Sequence, residues 1–370
     1  MATTEDYPDY YENWTGTYTD FSYASPCSLQ ETWEFARRFC PAVYGLLFVL
    51  ALVGNVLVLC VVRRYRLSRH GPCSFSLTDT FLLHLAVADL LLALTLPFYA
   101  VQWARGWVFG LVGCKLTGTA FSVNLYSGIL FLACISFDRY LAIVHAINMG
   151  WRRSTCHAQV ACAVIWAVCL MLAGVELQFQ QVMELPRSDG TLMCQRVFSE
   201  GSSDQWQVAL QLVNLVVGFG VPLLVMVYCY VAIFRSLCHA TRRQKRRSLR
   251  LIVSLVAVFL LCWAPYNGFR LADSLQRLGV IGQSCSVHQA LDIGTLLSES
   301  LGLVHCALNP LLYGFVGVKF RRELLEMWKG LLASLGFMGL DDWGPNQRKR
   351  RAPGSFSSES ENTSYFSVVV

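Results

Sequence analysis

Residues 41–62 read PAVYGLLFVLALVGNVLVLCVV, and none of these side chains is charged. A hydrocarbon core about 30 Å thick is crossed by a helix of roughly 20 apolar residues, so this run predicts a membrane-spanning helix. Six further, mainly apolar runs of similar length follow it, over residues 79–101, 111–137, 159–177, 206–234, 249–273 and 289–316. The sequence therefore predicts an all-α membrane protein, a seven-transmembrane helix bundle.

The composition agrees with a chain that lies largely in lipid. Of the 370 residues, 55% are hydrophobic and 15% are charged, whereas an ordinary soluble protein has roughly 25% charged residues. This deficit excludes a disordered chain and argues against a soluble two-domain enzyme. The sequence shows no nucleophile–base pair and no metal cluster. We therefore predict that the chain is not an enzyme, holds no metal and has no nucleic-acid partner.

Charged residues in the loops indicate how the chain crosses the membrane. Residues 1–36 contain seven acids and no Lys or Arg, whereas residues 235–250 contain seven Arg or Lys and no acid. Positively charged loops stay in the cytoplasm. We therefore predict a multi-pass plasma-membrane protein whose N-terminus is extracellular and whose C-terminus is cytoplasmic.

The predicted organisation has four parts. Residues 1–40 form an extracellular, acidic and tyrosine-rich tail, and residues 41–316 form the bundle. Residues 317–330 form a short amphipathic helix on the membrane surface, because Phe320, Leu324 and Trp328 fall on one side of it. Residues 331–370 form a cytoplasmic tail rich in Ser and Thr.

The extracellular tail has the features of a binding segment for a basic partner. Tyr7, Tyr10 and Tyr11 lie among acids, which is typical of sulfation sites, and Asn13 begins a glycosylation sequon. Such a tail attracts a basic partner over long range and helps its on-rate and orientation. A plain solvated tail is the alternative that composition alone favours.

Four cysteines are predicted to face the oxidising side of the membrane: Cys27, Cys114, Cys194 and Cys285. Two disulfides among them allow three connectivities, and the sequence alone does not choose between these. Cys40 is left over at the membrane edge, where we expect a free, buried thiol.

Polar residues inside the predicted spans are expensive in lipid and therefore mark candidate functional positions. Asp89, Asn55 and Asn309 are placed to share a cation or a water network, or to hold helices together by hydrogen bonds. Asp138-Arg139-Tyr140 ends the third span at the cytoplasmic face, where the adjacent acid and base form a pair that can be broken. Prolines at positions 97, 222, 265 and 310 kink their helices, which suits a bundle that changes shape, and equally a transporter.

One motif in each span carries a family resemblance. The motifs are Gly54-Asn55, Leu85-Ala86-Val87-Ala88-Asp89, Asp138-Arg139-Tyr140, Trp166, Pro222 with Tyr230, Cys262-Trp263-Ala264-Pro265 and Asn309-Pro310-Leu311-Leu312-Tyr313. In this order they resemble the rhodopsin-type G-protein-coupled receptors over about residues 40–330. Thr95-Leu96-Pro97-Phe98 and Trp107-Val108-Phe109-Gly110 further resemble the chemokine receptors. Within that family, residues 78–84 and 315–321 look most like the CXC type-3 group, whereas Glu299 and residues 358–362 look like type 5.

The resemblance implies two disulfides and a ligand pocket. The disulfides are Cys114–Cys194 and Cys27–Cys285, the latter tying the N-terminal tail to the last outer loop. The implied ligand contacts, beyond the three tail tyrosines, are Tyr99, Trp103, Phe121, Glu176, Tyr266, Asp273, Asp292 and Glu299. The four acids would meet the cationic N-terminus of a basic ligand. Val175 stands where many chemokine receptors carry a proline.

The resemblance also implies a conformational switch. Trp263 would be the packing switch beneath the pocket, and Arg139 would leave Asp138 as the sixth helix swings out. The full implied set for switching and G-protein coupling is Asp138, Arg139, Tyr140, Tyr230, Trp263, Asn309, Pro310 and Tyr313. A sodium ion at Asp89, held with Asn55, Asn124 and Asn309, would stabilise the inactive form. Gly128 and His305 depart from the serine and asparagine that are usual in the wider class.

The implied function is a cell-surface receptor for CXC chemokines that drives leukocyte chemotaxis. Its implied partners are a basic chemokine outside, a heterotrimeric G protein of the inhibitory class inside, then receptor kinases and arrestin. The phosphorylation sites expected in the tail are Ser355, Ser357, Ser358, Ser360, Thr363 and Ser364. A scavenging receptor without G-protein signalling is the nearer alternative, but the intact Asp138-Arg139-Tyr140 favours signalling. A transporter is the remoter alternative, because no internal repeat is visible.

Overall fold

The computed structural model describes residues 30–68, 77–145, 155–184, 190–197, 203–238, 243–282, 284–316 and 318–334. Several predicted features lie outside these residues: Tyr7, Tyr10, Tyr11, Asn13, Cys27 and the six phosphorylation sites of the tail. They stay predictions.

The described residues form eight helices and one β-hairpin. The first four helices are α1 (Gln30–Ser68), α2 (Leu77–Arg105), α3 (Gly110–Ile143) and α4 (Thr155–Leu177). The hairpin consists of β1 (Gln180–Glu184) and β2 (Leu192–Arg196). The fifth helix, α5, has three segments, an α-helix Ser203–Val213, a π-helix Asn214–Gly220 and an α-helix Val221–Cys238. Then follow α6 (Arg243–Arg277), α7 (Cys285–Val316) and α8 (Val318–Ser334).

Helices α1 to α7 are each long and apolar enough to cross a membrane, which confirms the predicted fold class. Their outward faces are hydrophobic: Leu46, Val53, Leu224 and Phe234 are 61%, 62%, 69% and 70% exposed. An exposed apolar surface of this size is more stable in contact with lipid tails than in contact with water. The seven helices make the chain a multi-pass membrane protein.

Helix α1 begins at Gln30 and runs without interruption through Pro41, so the helix starts before residue 41, where the sequence placed the first residue of the bundle. A membrane helix tolerates an internal proline because neighbouring helices accommodate the freed backbone groups. The added turns also have packing partners, since Ala36 and Cys40 are buried in the cluster that α1 forms with α2 and α7. Cys40 is a free, buried thiol, as predicted.

Helix α5 changes to π-helical geometry immediately before Pro222. Proline donates no hydrogen bond to the residue four positions earlier, Gly218, so the backbone at this point is free to widen. The wider turn brings Asn214 to the inside of the bundle. The sequence predicted a kink at Pro222 and missed the π-helical segment.

Helix α3 is the central helix of the bundle and packs against α2, α4, α5 and α6. Its lower half lies in the largest hydrophobic cluster, where Phe131, Leu132 and Ile135 are at most 1% exposed. At its outer end a disulfide joins Cys114 to Cys194 of β2, which confirms that predicted pairing. Cys285 is also disulfide-bonded, and its predicted partner Cys27 lies outside the described residues.

Helix α8 extends to Ser334, past the predicted end at residue 330. Phe320 is 7% exposed and packs on Tyr313 of α7 at 6.4 Å between ring centroids, while Leu325 and Trp328 are exposed. The buried Phe320 anchors the first turn, and the exposed apolar residues suit a helix lying on lipid.

Candidate functional site

The β-hairpin covers the outer end of the bundle and is fixed there by several contacts. The backbone N–H of Cys194 donates to the Gln102 side chain (3.0 Å), and the N–H of Trp107 donates to the carbonyl of Leu192 (2.7 Å). Trp107, 2% exposed, packs on the Cys114–Cys194 disulfide. Gly106 before it has a φ of 87°, a conformation that favours glycine. The first outer loop therefore fixes the hairpin over the bundle together with the disulfide.

Beneath the hairpin, Glu176 of α4 is surrounded by partners from three other elements, which we call the Glu176 cluster. Its carboxylate accepts hydrogen bonds from Ser122 (2.8 Å) and Tyr126 (3.0 Å) of α3 and from Asn214 (2.7 Å) of α5. Arg196 of β2 lies 3.5 Å away. The Glu176 carboxylate raises the pKa of the Arg196 guanidinium, which therefore keeps its charge.

Glu176 was predicted as one of four acids that meet a ligand directly. It lines the outer cavity described below, but in the structure its carboxylate is satisfied by the protein itself and is 4% exposed. A carboxylate with three hydrogen bonds and an adjacent cation has little unmet need for a further partner. The arrangement assigns Glu176 to holding α3, α4, α5 and β2 together.

A cavity that is partly open to solvent lies beside the Glu176 cluster. We call it the outer cavity; it is lined by Phe121, Ser122, Leu125, Glu176, Arg196, Gln211, Asn214, Gly218, Phe219, Tyr266, Asn267 and Arg270. The structure thus brings three predicted ligand residues to one place, namely Phe121, Glu176 and Tyr266. Phe121 and Tyr266 both rest edge-on against Trp263, at 6.3 and 5.6 Å between ring centroids. The predicted switch residue therefore lies directly beneath these two aromatic walls.

The remaining predicted acids lie around the outer end in different states. Asp273 accepts a hydrogen bond from Gln211 (2.8 Å) and pairs with Arg277 (3.2 Å). Asp292 lies 3.7 Å from His288 on a partly exposed turn of α7. Glu299 has neither a hydrogen bond nor an ion pair with the described residues. Among the four predicted ligand acids, it is the one whose carboxylate has no such partner among the described residues.

Tyr99 and Trp103 of α2 belong to a second aromatic group, toward α1 and α7. The ring of Tyr99 lies 6.3 Å from that of Phe121, and the ring of Trp103 lies 5.1 Å from that of Trp33 on α1. Neither lines the outer cavity. Both pack in the cluster that α1 forms with α2 and α7, and their role as ligand contacts stays a prediction.

A chain of polar contacts continues from Trp263 toward the centre of the bundle. The Trp263 indole N–H donates to Nδ1 of His305 (3.2 Å), and Nε2 of His305 lies 3.4 Å from Asp89. Asp89 also accepts hydrogen bonds from Asn309 (2.8 Å) and Asn124 (3.4 Å). The structure therefore joins three of the four predicted network residues directly. Asn55 instead donates to the carbonyl of Cys306 (2.9 Å).

The sodium ion expected at Asp89 stays a prediction. The groups that approach its carboxylate are amide and imidazole nitrogens, whereas the side-chain oxygens of Asn124 and Asn55 are buried and have no hydrogen-bond partner among the described residues. Gly128 offers no side-chain oxygen, and a Cβ at this position would meet the Phe259 ring at 3.0 Å.

At the cytoplasmic end, Thr78 of α2 joins Asp138 and Arg139 of α3, and we call these three the inner cluster. Thr78 donates to Asp138 (2.9 Å), Arg139 donates to Thr78, and Arg139 lies 3.8 Å from Asp138. All three are at most 9% exposed. Arg139 is thereby held toward α2, on the inactive side of the switch that the sequence predicts.

The other predicted switch residues lie close by. Tyr230 accepts a hydrogen bond from Ser136 (3.0 Å), and Tyr140 contacts His145 (2.8 Å) and Tyr228 (3.3 Å) on the cytoplasmic surface. Tyr313 is 4% exposed, and its hydroxyl has no hydrogen-bond partner among the described residues. A buried hydroxyl without a partner costs about 1–3 kcal/mol, so this state of the bundle leaves an interaction unmade.

Sequence reasoning missed several members of these clusters: Thr78, Ser122, Tyr126, Arg196, Gln211, Asn214 and Arg270. Three of them carried a usable signal. Arg196 lies two residues after Cys194, and alternate residues of a strand face the same side. Because Cys194 points into the bundle, Arg196 points into it as well. Ser122 and Tyr126 are four residues apart and therefore share one face of α3.

Among the described residues, no group of three or more His, Cys, Asp or Glu side chains is arranged to hold a metal ion. The side chains that the structure gathers instead form an outer cavity, a buried polar chain and an inner cluster. These three are linked through Trp263, His305 and α3. The arrangement is that of a receptor bundle, which can report an event at its outer end to its inner end.

Comparison with known proteins agrees with this arrangement. Residues 54–313 match the family "7 transmembrane receptor (rhodopsin family)", and the chain belongs to that family. The chain is 64% identical to C-X-C chemokine receptor type 3-2 of Danio rerio, over 98% of its own length and 96% of the relative. It is 43% identical to C-X-C chemokine receptor type 3 of Homo sapiens, over 90% and 85% of the two chains.

C-X-C chemokine receptor type 4-B of Xenopus laevis is 35% identical over 96% of this chain and 95% of the relative. Within the rhodopsin family the chain is thus a chemokine receptor, and the higher identities put it in the type-3 group, as the sequence motifs predicted. It is accordingly a receptor and not an enzyme.

Proposed function

We propose that the chain binds a basic CXC chemokine outside the cell and passes the signal to a heterotrimeric G protein of the inhibitory class. Receptor kinases and arrestin then act on its cytoplasmic tail, and the cellular outcome is leukocyte chemotaxis. The observation that carries the proposal is the inner cluster. It holds the intact Asp138-Arg139-Tyr140 motif in a buried arrangement that a conformational change can release.

The outer end supports a basic ligand. The seven acids of residues 1–36 give the tail a strongly negative charge, and sulfation of Tyr7, Tyr10 and Tyr11 would add to it. Inside the bundle, Glu299 offers a carboxylate that the described residues leave unpaired. A cationic N-terminal segment of a chemokine that reaches Glu299 gains an ion pair in a region of low dielectric.

The path from outside to inside is a continuous set of contacts. Phe121 touches Trp263, Trp263 donates to His305, and His305 adjoins Asp89, whose amide partner Asn309 begins the segment that ends at Tyr313. A ligand that moves Phe121 or Tyr266 therefore moves Trp263. Binding then favours whichever arrangement of α6 and α7 accommodates that movement.

At the inner end, opening requires that Arg139 leave Thr78 and Asp138. The open arrangement gives Arg139 two hydroxyls to meet, those of Tyr230 and Tyr313. This exchange supplies the hydrogen bond that the Tyr313 hydroxyl lacks in the closed arrangement. The cleft that forms between α3, α5 and α6 accepts the G protein.

The decisive experiment is ligand-stimulated nucleotide exchange in membranes that contain the full-length receptor, tested against a panel of purified chemokines. Arg139→Ala should abolish exchange while leaving chemokine binding within twofold of the wild type, because Arg139 lies in the inner cluster and far from the outer cavity. Arg139→Lys is the matched control and should retain part of the activity, since it keeps the charge and loses the planar fork.

A wild-type receptor that recruits arrestin but is silent in exchange to every chemokine would establish the scavenging alternative instead. Replacing the six predicted phosphorylation sites of the tail by alanine tests the later steps. Arrestin recruitment should fall sharply in that variant, with exchange unchanged.

A further inference from the structure

The charges around the outer cavity do not all balance within the protein. Glu176 and Arg196 form one compensated pair, and Glu176 receives three hydrogen bonds besides. Asp273 and Arg277 form another. Arg270 of α6 also lines the cavity, and its guanidinium has neither a hydrogen bond nor an ion pair with the described residues.

The acids nearest to Arg270 are turned elsewhere or lie beyond ion-pair distance. Asp273, one turn further along α6, directs its carboxylate to Gln211 and Arg277. Glu299 of α7 and Arg270 are close enough to interact electrostatically, but their charged atoms lie more than 4.0 Å apart and form no ion pair. The guanidinium is therefore presented to the cavity with its five N–H donors uncommitted.

The surroundings of Arg270 favour an anion. A guanidinium removed from bulk water gains most from a partner that accepts two parallel hydrogen bonds, and a carboxylate fits this geometry. Tyr266, one turn before Arg270, adds a hydroxyl that is likewise without a hydrogen bond to the described residues. Asn267 beside it uses its amide N–H₂ on the carbonyl of Trp263 (2.9 Å), so its position is fixed.

We propose that Arg270 and Tyr266 form an anion subsite of the outer cavity that takes a carboxylate of the inserted ligand segment. The inference rests on the proposed function. The outer end of the bundle then offers two opposite charges: Glu299 of α7 for the ligand's ammonium group, and Arg270 of α6, which lines the outer cavity, for an acid further along the segment. This pattern makes the receptor selective for a segment that carries both charges, beyond the general basic character that the extracellular tail attracts.

The test uses the chemokines that activate the wild-type receptor, each prepared in a second form. In the second form every Asp or Glu of the flexible N-terminal segment is replaced by Asn or Gln. On the wild-type receptor, the amide form of each chemokine should be about 10- to 100-fold less potent than the acid form, in nucleotide exchange and in competition binding. This is the effect expected when one charge-assisted hydrogen-bonded pair is lost. On Arg270→Gln the two forms of the ligand should be equipotent within twofold. Arg270→Lys should retain part of the discrimination.

Arg277→Gln is the matched control, because Arg277 lies on the same helix and is paired with Asp273; it should discriminate between the two ligand forms as the wild type does. If the ratio between the potencies of the acid and amide forms is the same on the wild type and on Arg270→Gln, the subsite is overturned. It is overturned equally if the active chemokines have no acid in that segment. Silence of the wild type to all chemokines refutes the proposed function instead.

A small free anion is the other source of the same chemistry. Repeating the assay with gluconate in place of chloride separates the two. If the subsite binds the ligand's carboxylate, the ratio between the potencies of the acid and amide forms of the chemokine is the same in both salts. If chloride occupies it, potency on the wild type follows the salt and amidation has no effect, which overturns the proposal.

Discussion

Arg196→Gln removes the cation that lies next to the buried Glu176 carboxylate and leaves a shorter, neutral side chain in its place. The two side chains are 3.5 Å apart and are 25% and 6% exposed. The variant leaves a carboxylate in the bundle with its hydrogen bonds from Ser122, Tyr126 and Asn214, but without its adjacent charge. Its effect measures how much of the Glu176 cluster's stability is electrostatic.

Breaking one side of a buried pair costs about 3–5 kcal/mol. Since three hydrogen bonds remain on Glu176, we expect Arg196→Gln to lower the free energy of unfolding by about 3 kcal/mol, the lower end of that range. Glu176→Gln should cost less, about 1–2 kcal/mol, because the Arg196 side chain that it leaves behind is partly solvated. The double variant should cost about as much as Glu176→Gln alone, which corresponds to a coupling of about 3 kcal/mol.

The assay is denaturant unfolding of the purified receptor at constant detergent concentration, followed by circular dichroism. Arg105→Gln is the control, because Arg105 is an exposed arginine at the outer end of α2. That substitution should stay within about 0.5 kcal/mol of the wild type.

Additive losses in the double variant would refute the coupling, since independent sites add and coupled sites do not. A loss for Arg196→Gln no larger than that for Arg105→Gln would show that the cluster is held by its hydrogen bonds alone.

Three further predictions concern the switch and the outer lid. Gly302→Ala places a Cβ 2.9 Å from the Trp263 indole; we expect a loss of about 1–3 kcal/mol in stability, visible by denaturant unfolding, and altered basal nucleotide exchange. Thr78→Val removes the hydroxyl that joins Asp138 to Arg139. Nucleotide exchange without ligand should rise roughly 10-fold, as expected for the loss of one charge-assisted hydrogen bond. Unchanged basal exchange would contradict the role of the inner cluster. Cys114→Ser breaks the disulfide across the outer end and should lower stability by roughly 2–5 kcal/mol, measured as loss of surface receptor at 37 °C; full surface expression would count against it.

The helices were largely predictable because their signal is local. Twenty apolar residues in a row need a lipid core whatever the rest of the chain does, and loop charge orients them. The ends of the helices were less predictable, since α1 starts at Gln30 only because Ala36 and Cys40 find packing partners on α2 and α7. The π-helical segment of α5 was missed because a proline signals a freed backbone but not which way the backbone relaxes.

The candidate site was predictable in its residue types and not in its pairings. Glu176 was identified as an acid at the end of a span, which is correct, but its partners come from α3, α5 and β2, distant in sequence. Nothing local distinguishes Glu176, which is satisfied by Arg196, from Glu299, which the described residues leave unpaired. The same holds for Asp89, whose neighbours His305 and Asn309 are more than 200 residues away.

The sequence by itself determined that this protein is a seven-helix membrane receptor, which way it is oriented, and which family it belongs to. Hydropathy, loop charge and short motifs are properties of a few consecutive residues and do not depend on tertiary contacts. Only the tertiary structure decided which charges are compensated. An ionised side chain in a low-dielectric bundle is available to a ligand only if no other part of the chain reaches it. That depends on how helices far apart in sequence pack around Trp263 and the Glu176 cluster.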